Sequence, residues 1–179
     1  MVSRVIPTIY WTRLTYKDWN IYLAASDKGL SYVGSQQKPF DEMRDWVSRH
    51  YPGSILVQDD ARMETYVMEL SEYLEGTRQS FSIPFDYKGT PFQHDVWKAL
   101  CEIPYGQTWS YSDIATHIQK PSAVRAVGTA IGANPMLIIV PCHRVIGKNG
   151  TLTGYRGGLD MKLKLLQLEC EGVKGNYEN

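Results

Sequence analysis

The spacing of apolar residues predicts a small sheet and two helices in the first half of the chain. Residues 20–34 predict a β-hairpin, because two β-prone runs flank the turn-forming segment Ser-Asp-Lys-Gly at 26–29. Residues 41–51 predict a helix that stops at Pro52-Gly53. Residues 60–75 predict a second helix, closed by Gly76, because an apolar stripe recurs at helical spacing. The stripe is Met63, Val67, Leu70 and Leu74, and Phe81, Ile83 and Phe85 then alternate like a strand.

After Lys88-Gly89 the pattern becomes mainly helical. Thr90 is expected to cap a helix with Pro91 at its first position, which runs to about residue 101. The apolar run at 137–140 predicts a short buried strand or extended segment. A last helix is expected near 159–170. Its apolar face would hold Leu159, Leu163, Leu166 and Cys170, so Cys101 and Cys170 are interpreted as core residues.

Two short helices between these elements form a recognisable motif. Ser110 is expected to cap a helix over residues 111–118, and Ser122 a helix from about 123 to 133. A turn of about four residues joins them, which is the pattern of a DNA-binding helix-turn-helix. The fold class is therefore α+β. A small N-terminal sheet-plus-helix domain (1–87) precedes a mainly helical domain (88–170), with a flexible tail at 171–179.

Charge is distributed unevenly although the net charge is zero. Residues 1–87 carry 9 Lys/Arg and 12 Asp/Glu, whereas residues 88–170 carry 9 and 5. The basic excess of the second half is where a polyanion such as DNA would be attracted. No apolar run is long enough to span a bilayer, and the start of the chain has no secretory signal, so a cytoplasmic protein without membrane contact is expected.

The cysteines and histidines indicate neither disulfides nor a metal site. Three cysteines without a Cys-x-x-Cys pair fit a reducing compartment. The four histidines show no metal-ligand spacing, so no metal is expected. Cys142 followed by His143 is the first candidate for chemistry, because a thiolate is a strong nucleophile and histidine commonly tunes it. A bare Cys-His pair is more often a buried structural cysteine beside a histidine bonded to the backbone.

The surrounding motifs resemble those of the O6-alkylguanine-DNA alkyltransferases, and they cover residues 89–170 without a gap. In chain order they are Gly89-Thr90-x-Phe92-Gln93-x-x-Val96-Trp97, Pro104-Tyr105-Gly106-x-Thr108-x-Ser110-Tyr111, Arg125-Ala126-Val127-Gly128, Asn134-Pro135, Pro141-Cys142-His143-Arg144-Val145, Gly154-Tyr155-x-Gly157-Gly158-Leu159 and Leu165-Leu166-x-x-Glu169. The resemblance implies DNA repair by direct reversal, in which one alkyl group passes irreversibly from O6 of guanine to the protein. No cofactor is implied.

The resemblance also implies the catalytic residues. Cys142 would be the acceptor thiol, and His143 would act on it through an ordered water while Glu169 orients the imidazole. This is the logic of a catalytic triad. Asn134 would tie the helix-turn-helix to the active-site segment, and it could cap the preceding helix as well. Tyr111 would donate its hydroxyl to the guanine ring.

The implied partner is double-stranded DNA carrying O6-alkylguanine, bound through the minor groove by a monomer. Arg125 would fill the gap left by the flipped nucleotide, since a thiol cannot reach O6 inside a stacked duplex. Ala123, Ala126 and Gly128 would let the second helix approach the groove, together with Tyr111. The pocket for the alkylguanine would be lined by Val145, Tyr155, Arg156 and Leu137.

This chain departs from the family pattern at two points. It lacks the amino-terminal zinc-binding cysteines of some members, and Leu137 stands where some relatives have a proline beside the alkyl group. Residues 1–87 match the family only loosely, so their fold is inferred by analogy.

Three other functions share parts of the pattern. A lesion sensor of the same superfamily lacks the acceptor cysteine, whereas Cys142 is present. A cysteine hydrolase uses Cys, His and an acid but does not need a helix-turn-helix with Arg125. A transcription factor would read base edges, but the second helix offers one Arg and no Asn or Gln.

Overall fold

The computed structural model describes residues 5–175, and the chain divides between Lys88 and Gly89 into two compact units. The first unit contains a four-stranded sheet and two helices. Its elements are β1 (Thr8–Tyr16), β2 (Trp19–Ala25), β3 (Leu30–Val33), α1 (Phe40–His50), β4 (Ile55–Gln58) and α2 (Glu64–Glu75).

The sheet has the strand order β3-β2-β1-β4, in which only β1 and β4 run parallel. The predicted hairpin at 20–34 is confirmed as β2 and β3, and the amide of Ser26 donates to Gly29 O at 3.0 Å across its turn. The hairpin of β1 and β2 turns instead at Lys17-Asp18, where Lys17 has φ 49°. A turn without glycine or asparagine gives no strong signal in the sequence.

Both predicted helices of the first unit are present. In α1, Met43, Trp46 and Val47 pack into the core with Ile9 and Tyr32 of the sheet. Helix α2 begins at residue 64 rather than 60, because residues 60–63 form turns, and it ends as predicted at Gly76 with φ 90°. The strand predicted at Phe81–Phe85 is wrong. Only a single bridge joins Phe85 to Leu30, at the start of β3, and the segment does not continue along that strand.

The second unit is mainly helical. Its elements are α3 (Pro91–Cys101), β5 (Trp109–Ser110), α4 (Tyr111–His117), α5 (Val124–Gly132), β6 (Val145–Ile146) and α6 (Leu159–Gly175). Thr90 caps α3 as predicted, with Pro91 in its first turn, and Gln93 completes a capping box. The indole of Trp97 on α3 donates to the Ala130 carbonyl of α5 at 2.8 Å, which fixes the two helices against each other.

Helices α4 and α5 form the predicted helix-turn-helix. The Ser110 hydroxyl oxygen caps α4 by accepting from the amide of Asp113, and the Asp113 carboxylate accepts from the amide of Ser110. The prediction that Ser122 caps α5 is wrong. The amide of Ala123 bonds to Lys120 O, so Ser122 lies inside a turn and the helix starts after Ala123.

The apolar run at 137–140 is a buried turn rather than a strand. The amide of Ile139 donates to Leu137 O at 2.8 Å, which closes a three-residue turn around Ile138 with φ 72°. A buried β-branched residue with positive φ is strained, and it persists only where its surroundings hold it. Here Asn134 supplies a bond to Val140 O that a neighbouring strand would otherwise provide.

Helix α6 buries a different face from the predicted one. Its buried residues are Met161, Lys162, Leu165 and Glu169. Leu159 and Leu163 are 49% and 43% exposed, and Cys170 and Cys101 are also exposed, so their interpretation as core residues is wrong. The spacing of apolar residues favoured the wrong face of the helix because two of the buried residues, Lys162 and Glu169, are charged. Their hydrogen bonds offset the cost of removing these charges from water.

The predicted flexible tail is also wrong in part, since α6 continues through Gly175. Residues 176–179 of that predicted tail lie outside the described residues. Across residues 5–175, no helix has both the length and the apolar character that crossing a bilayer requires.

Candidate active site

Cys142 begins a single 3-10 turn, Cys142–Arg144, at the end of the strained segment. Pro141 directs the chain into this turn with φ −81° and ψ 59°, and the amide of Cys142 donates to Val140 O at 2.7 Å. Two three-residue turns therefore follow each other directly before the thiol. Cys142 itself is only 3% exposed.

Asn134, just after α5, connects this segment to the helix-turn-helix. Its side-chain amide donates to Val140 O at 2.9 Å and to Cys142 Sγ at 3.2 Å. Its side-chain oxygen accepts from the amide of Met136 at 2.9 Å. The last helical cap is Ala133, so the Asn134 side chain holds the buried turn and the sulfur.

His143 and Glu169 meet in the interior of the unit, where they are 0% and 1% exposed. His143 Nε2 lies 3.0 Å from Glu169 Oε2. Arg144 Nε donates to Glu169 Oε1 at 2.6 Å, and Arg144 Nη1 donates to Ile103 O at 2.7 Å. The carboxylate thus receives bonds from two side chains of the turn that begins at Cys142.

Burial keeps the thiol and the imidazole neutral at rest. Burial raises the pKa of Cys142, although the Asn134 hydrogen bond and the charges of Arg156 and Lys162 oppose this. Burial lowers the pKa of His143 against the opposing effect of Glu169. Burial would raise the pKa of Glu169, but the bonds and charges of His143 and Arg144 outweigh it and keep that pKa below its usual value. The carboxylate is therefore the ionised member of the group.

Lys162 is a buried cation that sequence analysis missed. It is 0% exposed, and its Nζ donates to the carbonyls of Val145 at 2.5 Å and Thr153 at 3.1 Å. Burial lowers the pKa of Lys162, and only an ionised Cys142 would act in the opposite direction. Its spacing of seven residues from Glu169 is the signal that could have placed both charges on one buried face. Arg144 and Thr153 were missed as well.

A cavity of about 260 Å³ reaches Cys142. Its lining residues are Tyr111, Gly128, Ile131, Gly132, Cys142, Gly154, Tyr155 and Arg156. Of the four residues predicted for the alkylguanine pocket, Tyr155 and Arg156 line this cavity. Leu137 and Val145 do not line the cavity, because both are fully buried in the core, where Val145 pairs with Trp109 as part of β6.

Tyr111 enters the cavity from the first turn of α4. Its hydroxyl lies 2.9 Å from Thr153 Oγ1, so the two hydroxyls can share a hydrogen bond. A side chain at Gly128 would meet the Tyr111 ring at 3.7 Å, which is ordinary contact. Gly128 is therefore not required by the packing against Tyr111.

The other predicted DNA-binding residues lie on the outer face of α5. Arg125 and Ala126 are exposed, and Ala123 is half-buried. They line a separate cleft of about 620 Å³ together with Phe92 and Gln93 of α3. Within residues 5–175, no group of three or more His, Cys, Asp or Glu side chains could hold a metal ion.

Comparisons with known proteins place both units in one protein family. The family model for the "6-O-methylguanine DNA methyltransferase, DNA binding domain" matches residues 91–171, and that for the "ribonuclease-like domain" of the same family matches residues 9–87. An inducible methylated-DNA–protein-cysteine methyltransferase of Bacillus subtilis (strain 168) is 63% identical over 163 residues, which are 91% of each chain.

Two further relatives extend this similarity. A methylated-DNA–protein-cysteine methyltransferase of Methanosarcina mazei is 55% identical over 156 residues, covering 86% of this chain and 92% of that protein. The crystal structure of Mycobacterium tuberculosis OGT in complex with DNA aligns with a TM-score of 0.78 at 39% identity. That alignment covers 91% of this chain and 94% of the other.

Proposed function

This chain belongs to the 6-O-methylguanine DNA methyltransferase family, and we propose that Cys142 is the cysteine to which it transfers the methyl group. The protein is a DNA-repair enzyme with the activity of its relatives, methyl transfer from DNA to a protein cysteine. One observation carries the assignment of Cys142: its buried thiol lies in the wall of a 260 Å³ cavity, bonded to Asn134. Cys101 and Cys170 are exposed and line no part of that cavity.

The transfer is a displacement at the alkyl carbon of O6-alkylguanine. Sulfur forms a bond to this carbon, the bond from carbon to O6 breaks, and its electron pair goes to the guanine. Tyr111 donates a hydrogen bond to the ring, and guanine gains overall the proton that the thiol loses. The product is a thioether, which neither water nor a bound group of this site can cleave. Each molecule therefore reacts once.

His143 accepts the thiol proton while sulfur attacks. Its Nε2 is bonded to Glu169, so the proton arrives at Nδ1, through a bridging water. Glu169 and Arg144 hold the ring in one orientation, and the carboxylate stabilises the imidazolium that forms. The neutral resting states of thiol and imidazole support this role, because the proton leaves only during the reaction.

Helix α5 approaches the minor groove of a duplex with its exposed face. Arg125 enters the stack and occupies the space of the flipped nucleotide, whose base enters the Cys142 cavity. The exposure of Arg125 and Ala126 supports this role. A cysteine hydrolase finds no support, because it explains neither the helix-turn-helix nor the family match.

We also propose that the protein acts as a monomer in the cytoplasm. The second unit alone contains the nucleophile, the relay and the DNA-binding helices, so one copy suffices for one lesion. All three cysteines are free, which fits a reducing compartment.

The acceptor is tested with a duplex that contains one O6-methylguanine. We expect one methyl group per protein, located by peptide mass spectrometry on the peptide that contains Cys142. Cys142→Ala should bind the same duplex but accept no methyl group, while Cys101→Ser and Cys170→Ser should both react. Repeated turnover, or methylation of the Cys142→Ala protein, would contradict the proposal.

The role of Arg125 is tested by comparing two substrates. Arg125→Ala should slow the repair of duplex DNA far more than the reaction with the free base O6-methylguanine, which needs no flipping. An equal loss on both substrates would mean that Arg125 supports the fold or the cavity instead.

A further inference from the structure

Arg156 holds a position in the cavity that the mechanism above does not use. It follows Tyr155 in a turn that the amide of Gly158 closes on Tyr155 O at 2.9 Å. Gly158 has φ 90°, and a Cβ at Gly157 would collide with the Met161 sulfur and the Tyr155 ring. Glycine is therefore needed at both positions, and the turn fixes where the Arg156 side chain begins.

The Arg156 side chain reaches from this turn to the segment that carries the nucleophile. Its Nε donates to the main-chain carbonyl of Asn134 at 3.2 Å. The side-chain amide of the same Asn134 donates to Cys142 Sγ. Asn134 thus connects the guanidinium to the sulfur, and Arg156 and Cys142 line the same cavity.

We propose that Arg156 is a catalytic residue of the methyl transfer, whose guanidinium stabilises the negative charge that moves from Cys142 Sγ to O6 of guanine and whose bulk restricts the cavity to small alkyl groups. This inference rests on the proposed role of Cys142. An arginine stays charged at every relevant pH and is weakly hydrated, so it suits an anion in a narrow cavity. A preorganised positive group acts most strongly where charge develops in the transition state.

The charges around the thiol show what Arg156 contributes. The titratable and charged groups near Cys142 are Arg156 from the turn before α6, Lys162 and Glu169 from α6, His143 and Arg144 from its own turn, and Tyr111 from α4. Glu169 and Arg144 form an ion pair, which leaves Arg156 and Lys162 as the cations that lower the pKa of Cys142. Lys162 bonds to two carbonyls within the core, whereas Arg156 lines the cavity where a substrate would lie.

The size of the cavity supports the second half of the proposal. Its volume of about 260 Å³ lies below the ~300–1,000 Å³ of typical ligand pockets. Arg156 and Tyr155 line this space together with Gly128 and Ile131 of α5. Shortening Arg156 would therefore enlarge the cavity beside the sulfur.

The test measures single-turnover transfer from a duplex with one O6-methylguanine, at saturating DNA and across a range of pH. Arg156→Gln removes the charge at similar length, and we expect the rate to fall about tenfold. This is less than the ~10²–10³ lost with a fully buried donor, because Arg156 is half-exposed. The rise of the rate with pH should also move to higher pH, because the thiolate loses a neighbouring cation. Arg156→Lys should keep the wild-type pH midpoint.

Lys148→Gln is the matched control, since it removes one exposed positive charge from the same loop outside the cavity. Its rate and pH profile should equal those of the wild type. Arg156→Ala should raise the ratio of benzyl to methyl transfer, measured with O6-benzylguanine and O6-methylguanine duplexes. A wild-type rate and pH midpoint in Arg156→Gln, or an unchanged ratio in Arg156→Ala, would overturn the inference. Failure of the Cys142 assignment would instead appear as unmethylated Cys142 in the wild type.

Discussion

Each unit of the protein buries one glutamate on a helix, and the two have different consequences. Glu69 on α2 is 3% exposed and accepts bonds from the amide and hydroxyl of Ser82, with Arg78 at 3.6 Å. Glu169 on α6 is 1% exposed and bonds to His143 and Arg144. In both, hydrogen bonds and a nearby arginine outweigh burial and lower the carboxylate pKa.

The partners of each carboxylate decide its role. Glu69 fixes the segment after α2 to that helix, and its partners are a serine and an arginine that do not line the Cys142 cavity. Glu169 fixes an imidazole whose neighbour in sequence is a thiol at a cavity wall. A buried, ionised carboxylate is therefore not a sign of catalysis by itself.

The largest expected effect comes from removing the arginine of each pair. Arg144→Met would leave Glu169 as a buried charge with one fewer partner, at a cost of about 3–5 kcal/mol in the free energy of unfolding. Arg78 is 26% exposed and bonds mainly to Glu72, so Arg78→Met should cost only about 0–1 kcal/mol. Urea denaturation of both variants measures the difference, and equal costs would contradict the contrast between the two carboxylates.

The next effect concerns the transfer rate. Glu169→Gln keeps the shape but removes the charge that stabilises imidazolium, so single-turnover transfer should slow by about 10²-fold or more. Glu69→Gln lowers stability but should leave the rate unchanged, which makes it the matched control. A comparable rate loss in both variants would show that stability, not the relay, limits the reaction.

Alkylation of Cys142 should lower stability by a smaller amount. The added methyl group crowds the narrow cavity beside the buried sulfur, which costs about 1–3 kcal/mol, and the thioether is a poorer partner for Asn134. A loss of 1 kcal/mol lowers Tm by roughly 2–4 °C in a protein of this size. Calorimetry before and after reaction measures the change. Faster hydrogen exchange confined to the second unit is expected, and an unchanged or higher Tm would contradict the prediction.

The smallest expected effect is a pH dependence of the free energy of unfolding. It comes from the histidine that bonds to Glu169, whereas the partners of Glu69 are a serine and an arginine. Burial lowers the pKa of His143 from 6.5, so its contribution to stability is complete above about pH 6.5. This contribution is lost as pH falls toward the lowered folded pKa, by at most ~1.4 kcal/mol per pH unit. The contributions of Glu69 and Glu169 are complete above about pH 4.5 and decline only below it.

Melting curves between pH 7.5 and 5 therefore separate the two sites. The wild type should lose stability in this range, and His143→Gln should lose less. If the stability of both proteins falls equally with decreasing pH, His143 is not a buried neutral group in solution.

The sequence by itself determined the helix-turn-helix, and it pointed to Cys142 as the candidate nucleophile and to most of its candidate partners. Helix starts at Thr90 and Ser110 depend on local capping, and local hydrogen bonds are readable from a few neighbouring residues. Cys142, His143, Asn134 and Glu169 stand in motifs whose order and spacing were enough to propose their roles. Local features of this kind can be predicted from the sequence without knowing how the chain packs.

Only the tertiary structure decided which faces and segments are buried. The apolar stripe of α6 that includes Leu159 and Leu163 is exposed, because Lys162 and Glu169 take the interior positions and find partners far along the chain. The run at 137–140 has strand-like residues but becomes a turn, because Asn134 satisfies its backbone. Arg156 donates a hydrogen bond to the carbonyl of Asn134, which lies 22 residues earlier in the sequence. Contacts between distant residues set these outcomes, and no local pattern encodes them.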